Sequence, residues 1–233
     1  MYPVANNIMS DGVSVSYQGR KASRARSEQR RKAILEAALR LVVKEGVRGV
    51  RHRAVAKEAD VPLSATTYYF KDISDLITDT FTLFAEKAMS DVVTPIYTEV
   101  ERFIENNGGK VPDAGPVRNQ LVESLASMLV GFIHHELKEE RDHLLAEQAF
   151  MHEALRDPRL RDMAKHYYDY LVNDMHMLCE KMGVDEPDIV AEILMATIFR
   201  IEQEGLQKSA EEFDADRAKR MLKRIFHTFL VQV

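Results

Sequence analysis

Helix-breaking residues are sparse in this chain, and their wide spacing is the strongest constraint on its fold. The 233 residues include only 10 Gly and 7 Pro, whereas an all-β sandwich needs tight turns at short intervals. Between the breakers, apolar residues return with the 3.6-residue period of an α-helix. The sequence therefore predicts an all-α protein.

A regular helix is predicted over residues 27–45. Ser27 belongs to a residue type that caps helix N-termini, and Gly46 follows the last periodic residue as a stop. The charged residues of this segment, Arg31 among them, fall on the predicted wet face. The apolar face consists of Ile34, Leu35, Ala38, Leu39, Leu41 and Val42.

Two short apolar patterns follow, at residues 55–59 and 65–69. Each is too short to persist alone as a helix in water, so both must pack on each other and on the first helix. Asp60 is expected to turn the chain in the left-handed conformation, and Pro62 to begin the next helix. Three helices with a tight turn between the last two form a helix-turn-helix.

The rest of the chain also divides at breakers. Asp72 is predicted to cap a helix that Pro95 kinks or ends, and residues 106–116 form the clearest loop. Gly183 and Gly205 are predicted helix stops. Five further helices are predicted over 117–138, 139–156, 158–182, 187–205 and 214–231.

Charge is distributed unevenly along the chain. Residues 20–80 carry 14 Lys and Arg against 8 Asp and Glu, whereas residues 81–233 carry 18 against 28. A basic segment attracts a polyanion such as nucleic acid, and an acidic remainder is repelled by it. An unevenly charged, solvated surface is the alternative interpretation. Residues 1–26 show no period and end in basic residues, so we expect a disordered basic arm there.

Several classes of protein are disfavoured by what the sequence lacks. A single cysteine, Cys179, cannot form an internal disulfide or a Cys-based zinc site. No apolar run approaches the ~20 residues that span a membrane, and the first residues do not resemble a secretion signal. Phosphate-binding loops, nucleophile elbows and His-Glu-x-x-His motifs are absent. We expect a cytoplasmic protein that is not an enzyme and uses no cofactor.

Histidines concentrate in the acidic part and leave one alternative open. His135, Glu139 and His143 would share a face if one helix continued through residue 138. Glu140 and His143 also match one Glu-x-x-His motif, of which di-iron bundles need two. A solvated charged face explains the same pattern, so no metal site is assigned. A helical-bundle metal-binding protein or enzyme with a basic head is the alternative function.

Residues 29–76 resemble the DNA-binding domain of the TetR family of bacterial transcriptional regulators. The residues that carry the resemblance are RRKAILEAALRLVVKEG, VAKEADV and TTYYFKDISDL. Asp60 replaces the usual Gly, Thr67 a usual Tyr and Ile73 a usual Lys, while Arg51 stands where Thr or Ser is common. The resemblance implies a helix-turn-helix domain over 27–72 and an effector-binding and dimerisation domain over 73–233.

The resemblance places the recognition helix at residues 63–70. Short polar side chains there can hydrogen-bond base edges, and a methyl group can pack on thymine. Exposed cations nearby would hold phosphates, and Phe70 is expected in the core. The predicted DNA-contacting residues are Arg51, His52, Arg53, Leu63, Ser64, Ala65, Thr66, Thr67, Tyr68, Tyr69 and Lys71.

The resemblance also implies an effector pocket between the middle helices and a dimer interface on the last two. Met and Tyr suit an adaptable, partly apolar ligand site. The predicted ligand-binding residues are Met128, Phe132, Phe150, Met151, Tyr167, Tyr168, Tyr170 and Met175. The predicted dimerisation residues are Val190, Leu194, Thr197, Ile201, Met221, Leu222, Ile225 and Phe229, although ordinary core packing explains part of each stripe.

These features together predict a ligand-responsive transcriptional repressor. A homodimer would bind double-stranded palindromic operator DNA, because a palindrome presents two half-sites about one helical turn apart. A small, partly apolar effector would release it. Activation in place of repression stays open.

Overall fold

A computed structural model of the chain describes residues 17–18, 25–109 and 115–229. Regular structure in these ranges is helical throughout, as the spacing of the breakers predicts. None of the described helices is both long and apolar enough to cross a membrane. The helices are α1 (Ala25–Glu45), α2 (His52–Glu58), α3 (Leu63–Tyr69), α4 (Ile73–Lys87), α5 (Thr94–Asn106), α6 (Pro116–Glu139), α7 (Arg141–Ala154), α8 (Pro158–Met182), α9 (Pro187–Leu206) and α10 (Ala215–Phe229).

Shorter segments and the chain start complete the description. Val47–Gly49 and Ala210–Glu212 form 3₁₀ turns, and Ala88–Val93 is π-helical between α4 and α5. The predicted basic arm over 1–26 lies outside the described residues, apart from Tyr17, Gln18 and the start of α1.

Local sequence signals place several helix ends correctly. Gly46 has φ 73° directly after α1, and Asp60 adopts the left-handed conformation at φ 51° between α2 and α3. The Asp72 carboxylate accepts a hydrogen bond of 2.9 Å from the Ser74 backbone N–H at the start of α4. These three positions were predicted because their conformational needs are local.

Two residues predicted to mark helix ends have other roles, although α9 ends at Leu206, only one residue after the predicted stop. Ser27 lies inside α1, and its Oγ is 2.8 Å from the Tyr69 hydroxyl, so it joins two helices and caps neither. Gly205 lies inside α9, where a Cβ would come within 2.4 Å of the Leu137 side chain. A larger residue there would force the Leu137 side chain of α6 to move.

The predicted histidine face is interrupted. Helix α6 ends at Glu139 and α7 begins at Arg141, so His135 and His143 do not lie on one continuous helix. Within the described residues, no group of three His, Cys, Asp or Glu side chains could hold a metal ion.

The chain divides into two compact units. Unit 1 comprises residues 1–91 and 145–167, and unit 2 comprises residues 92–144 and 168–233. Unit 1 thus contains α1–α4 with part of α7 and α8. The core of unit 1 includes the fully buried Phe70, as predicted, while α6, α9 and α10 pack together in unit 2.

Candidate DNA-binding surface and effector site

Helix α3 presents one exposed side in unit 1. Ser64 and Thr67 are exposed on it, and Tyr68 keeps 53% of its surface accessible. Leu63 is exposed at the helix start, and Ala65 is half-buried. The exposed hydroxyls are short and polar, as base recognition in a major groove requires.

Two of the predicted DNA-contacting residues face inward instead. Thr66 is fully buried, and its hydroxyl donates to the Leu63 carbonyl at 2.9 Å. Tyr69 is buried, with its hydroxyl against Ser27 of α1. Residues three apart share a helix face, so these two form the packed side of α3.

The predicted phosphate-binding cations are exposed. Arg51, Arg53 and Lys71 take part in no ion pair within the part of the chain that the structure describes. Arg40, by contrast, donates to the Glu58 carboxylate at 2.7 Å. His52 is half-buried, and its Nδ1 makes no hydrogen bond among the described residues.

A buried ion pair joins α1 to α4. The Arg31 guanidinium donates to the Asp79 carboxylate at 2.6 Å, and the two side chains are 5% and 0% exposed. The Tyr17 ring lies 4.4 Å from the guanidinium, and the Gln18 backbone N–H donates to Asp79. The predicted position of Arg31 on the wet face is therefore wrong. Helical period cannot show that a charge will find a partner 48 residues away.

An aromatic cluster, formed by Phe81, Phe84, Phe150 and Tyr167, lies in the core of unit 1. Ring centroids are 4.9 Å apart for Phe81 and Phe150, and 5.6 Å apart for Phe84 and Tyr167. These distances are typical of rings in direct contact. The structure thus brings together two predicted ligand-binding residues, Phe150 and Tyr167, with two of α4 that sequence reasoning missed.

Glu147 lies beside the aromatic cluster. It is 4% exposed and accepts a hydrogen bond from the Tyr167 hydroxyl. Burial raises the pKa of this carboxyl to about 7, against the opposing effect of the hydroxyl. No ion pair of the described residues includes Glu147. Its spacing from Phe150 on α7 places both on one face, a signal that the sequence contained.

The other predicted ligand-binding residues are distributed differently. Met151 is half-buried in unit 1, whereas Met128, Phe132, Tyr168, Tyr170 and Met175 belong to unit 2. Tyr168 donates to Glu192 at 3.1 Å. Burial raises the pKa of Asp174 to about 6, opposed by a hydrogen bond from Tyr170.

A recess in unit 2 lies between α9 and α10. Three of its charged side chains form ion pairs, since Arg217 donates to Glu204 at 2.6 Å and Lys208 lies 3.4 Å from the same carboxylate. None of the predicted ligand-binding residues lines it.

Half of the predicted dimerisation residues belong to the chain's own core. The buried residues of unit 2 include Val190, Leu194, Ile201 and Leu222. Ile189 and Ile193 are the large exposed apolar residues of α9, with 49% and 38% of their surfaces accessible. The remaining predicted residues are half-buried: Thr197, Met221, Ile225 and Phe229.

Comparison with known proteins shows a similarity to one family. The sequence profile of the Tetracyclin repressor-like C-terminal domain matches residues 120–227. A TetR-family member from Streptomyces coelicolor is 25% identical, with 88% of this chain and 99% of that chain covered and a TM-score of 0.54. No curated protein sequence matched.

Two further solved structures are similar. The multidrug binding protein EbrR, in complex with proflavin, is 25% identical over 84% of this chain and 99% of its own, with a TM-score of 0.54. A transcriptional regulator from Saccharomonospora viridis, in complex with choline, shares the fold at 19% identity, with 86% and 96% coverage and a TM-score of 0.58.

The helix-turn-helix in unit 1, the matching C-terminal profile and the similar structures agree. Proteins of the TetR family are regulators of transcription and not enzymes. The chain is similar to the TetR family of transcriptional regulators: unit 1 contains a helix-turn-helix, and residues 120–227 match the Tetracyclin repressor-like C-terminal domain.

Proposed function

We propose that this protein is a ligand-responsive repressor that binds a palindromic operator through α3. The observation that carries the proposal is the exposed side of α3, with Ser64, Thr67 and Tyr68. The helix-turn-helix also carries exposed cations that form no ion pair among the described residues. The hydroxyls would contact base edges, and Arg51 and Arg53 would hold phosphates. The burial of Thr66 and Tyr69 fixes the orientation of this side.

Selection of bound duplexes from a random pool, repeated at two salt concentrations, tests the proposal. A palindrome enriched at both concentrations supports it, whereas retention without enrichment that collapses at high salt contradicts it. Thr67→Ala should weaken binding to the selected operator by about 1–3 kcal/mol. Thr98→Ala on α5 is the matched control, because Thr98 is also exposed and also bonds a backbone carbonyl of its own helix.

The active form would be a homodimer, because two recognition helices are needed for a palindrome. Ile189 and Ile193 support an interface on α9, since a monomer would leave both in water. Ile193→Asp should give a monomer by sedimentation. Val117→Asp is the control in the same unit, because Val117 is more exposed still. An unaffected dimer in Ile193→Asp would exclude this face.

The effector would act through α4. This helix carries Asp79, which holds α1, and also Phe81 and Phe84 of the aromatic cluster. A ligand that displaces α4 would therefore shift α1 and change the separation of the two recognition helices in the dimer. The likeness to EbrR, a multidrug binding protein, supports a small-molecule effector.

This mechanism is a population shift between two states, so coupling must be reciprocal. An effector that releases operator must bind more weakly, by the same factor, when operator is present. Calorimetric titration of the effector with and without operator measures this factor. Equal affinities in the two titrations would contradict the mechanism.

A further inference from the structure

We propose that Glu147 and the aromatic cluster form a recognition site for an organic cation with an apolar, aromatic-sized body. This inference names the effector class of the regulator proposed above and rests on that proposal. It concerns residues within unit 1 alone: Glu147 and Phe150 of α7, Tyr167 of α8, and Phe81 and Phe84 of α4.

The chemistry of the site favours a cation. A buried carboxylate is stable as an anion when a positive charge pairs with it. The hydrogen-bond partner of Glu147, by contrast, is the neutral hydroxyl of Tyr167. Aromatic ring faces also attract a cation, and the attraction strengthens in a desolvated site. A quaternary ammonium, phosphonium or protonated heteroaromatic ligand would supply the missing positive charge and fill the apolar surroundings.

The packing explains how such a ligand would be sensed. The rings of Phe81 and Phe84 contact those of Phe150 and Tyr167, which leaves no room for a ligand between them. Entry of an organic cation must therefore separate α4 from α7 and α8. Binding and displacement of α4 become one event, and α4 is the helix bonded to α1 through Asp79 and Arg31.

The proposal also predicts that Glu147 releases a proton when the ligand binds. Burial raises the pKa of Glu147 to about 7, so the group is largely protonated at pH 6. A bound cation favours the ionised form, and the proton leaves for solvent as the ligand enters. Affinity for a cation should therefore rise as pH increases from 6 to 8, whereas affinity for an anion should not.

Tetraphenylphosphonium and tetraphenylborate provide a matched pair of probes, because they share size and shape and differ in the sign of charge. Calorimetric titration of the whole protein at pH 8 should detect the phosphonium and not the borate. Glu147→Gln keeps the shape and the hydrogen bond to Tyr167, and should weaken phosphonium binding by about 30-fold or more. Asp174→Asn is the control, since it neutralises another partly buried carboxyl bonded to a tyrosine.

Three results would overturn the inference: no phosphonium binding to the wild type, equal binding of the borate, or phosphonium binding unchanged in Glu147→Gln. Thermal unfolding of the variant confirms that it is folded in each case. The selection of bound duplexes separates a failure of the cation site from a failure of the proposed regulator function. Enriched duplexes with binding independent of Glu147 would overturn the cation site alone, whereas binding that depends on Glu147 without enriched duplexes would overturn the regulator and sustain the site.

Discussion

Among the described residues of unit 1, two carboxylates are buried, and their surroundings differ. Asp79 of α4 is fully buried against the Arg31 guanidinium, with the Gln18 N–H as a further donor. Glu147 of α7 is also buried, yet its hydrogen-bond partner is the Tyr167 hydroxyl. The first acid has its counter-charge within the chain, and the second has none among the described residues. Burial alone therefore does not identify a structural carboxylate.

The comparison implies opposite responses to the same kind of change. Removing the partner of Asp79 leaves a charge in the core, which is among the costliest single changes in a protein. Removing the charge of Glu147 takes away a desolvation cost that the Tyr167 hydrogen bond offsets only in part. The following experiments test this contrast, from the largest expected effect to the smallest.

Arg31→Met should lower the free energy of unfolding by about 3–5 kcal/mol, because Asp79 is left buried without its cation. Urea unfolding at pH 7 measures the loss. Arg30→Met is the matched control on the same helix, since Arg30 is exposed and should change stability by less than about 0.5 kcal/mol. Similar losses in the two variants would show that the ion pair does not stabilise unit 1.

Glu147 should make stability fall as pH rises. The folded protein holds this proton up to a pKa of about 7, whereas the unfolded chain releases it near the ordinary value of 4.5. The folded state therefore binds more protons between these values. Its free energy of unfolding should decrease by about 3 kcal/mol between pH 4.5 and 7 on account of this group, and level off above.

Glu147→Gln should abolish that decrease and raise stability at pH 8, in contrast to Arg31→Met. Unfolding curves at pH 5, 6, 7 and 8 compare the variant with the wild type. Glu140→Gln, at an exposed position, is the control and should leave the pH profile unchanged. A Glu147→Gln profile parallel to the wild type would mean that the carboxyl titrates as it does in water.

Phe81→Leu should cost about 1–1.5 kcal/mol of stability, because a similar volume is kept while the contacts to Phe150 and Tyr167 lose their ring geometry. The same variant should weaken tetraphenylphosphonium binding, since a ring face is lost. Phe103→Leu, half-buried on α5 in unit 2, is the control for both measurements. Equal effects of the two variants on phosphonium binding would argue against the aromatic cluster as its site.

Tyr17 should have the smallest effect. Tyr17→Phe keeps the ring over Arg31 and loses the hydroxyl bond to Glu86, which is exposed, so a loss of about 0.5 kcal/mol is expected. Tyr17→Ala removes the ring as well and should cost about 0.5–1 kcal/mol more. Thermal unfolding can resolve this series. Identical values for the two variants would show that the ring does not protect the ion pair.

Much of the fold could be predicted because helix ends depend on local residues. The predicted helix over 158–182 and the start at Pro187 agree with α8 and α9 as observed. Gly205 shows what this reasoning misses: α9 ends one residue later, but the approach of Leu137 from another helix could not be predicted from neighbouring residues. The candidate sites were predicted less completely. Phe150 and Tyr167 were named from their residue types, while Phe81 and Glu147 were not.

The sequence by itself determined the helical class, the turn at Asp60 and the family resemblance, since each depends on neighbouring residues and on backbone conformation. The tertiary structure alone decided which charges are buried and with what. Arg31 meets Asp79 across 48 residues, and Glu147 meets Tyr167 across two helices. The free energy of a buried charge depends on the groups that packing brings around it. The helical period of the sequence does not predict which groups these are.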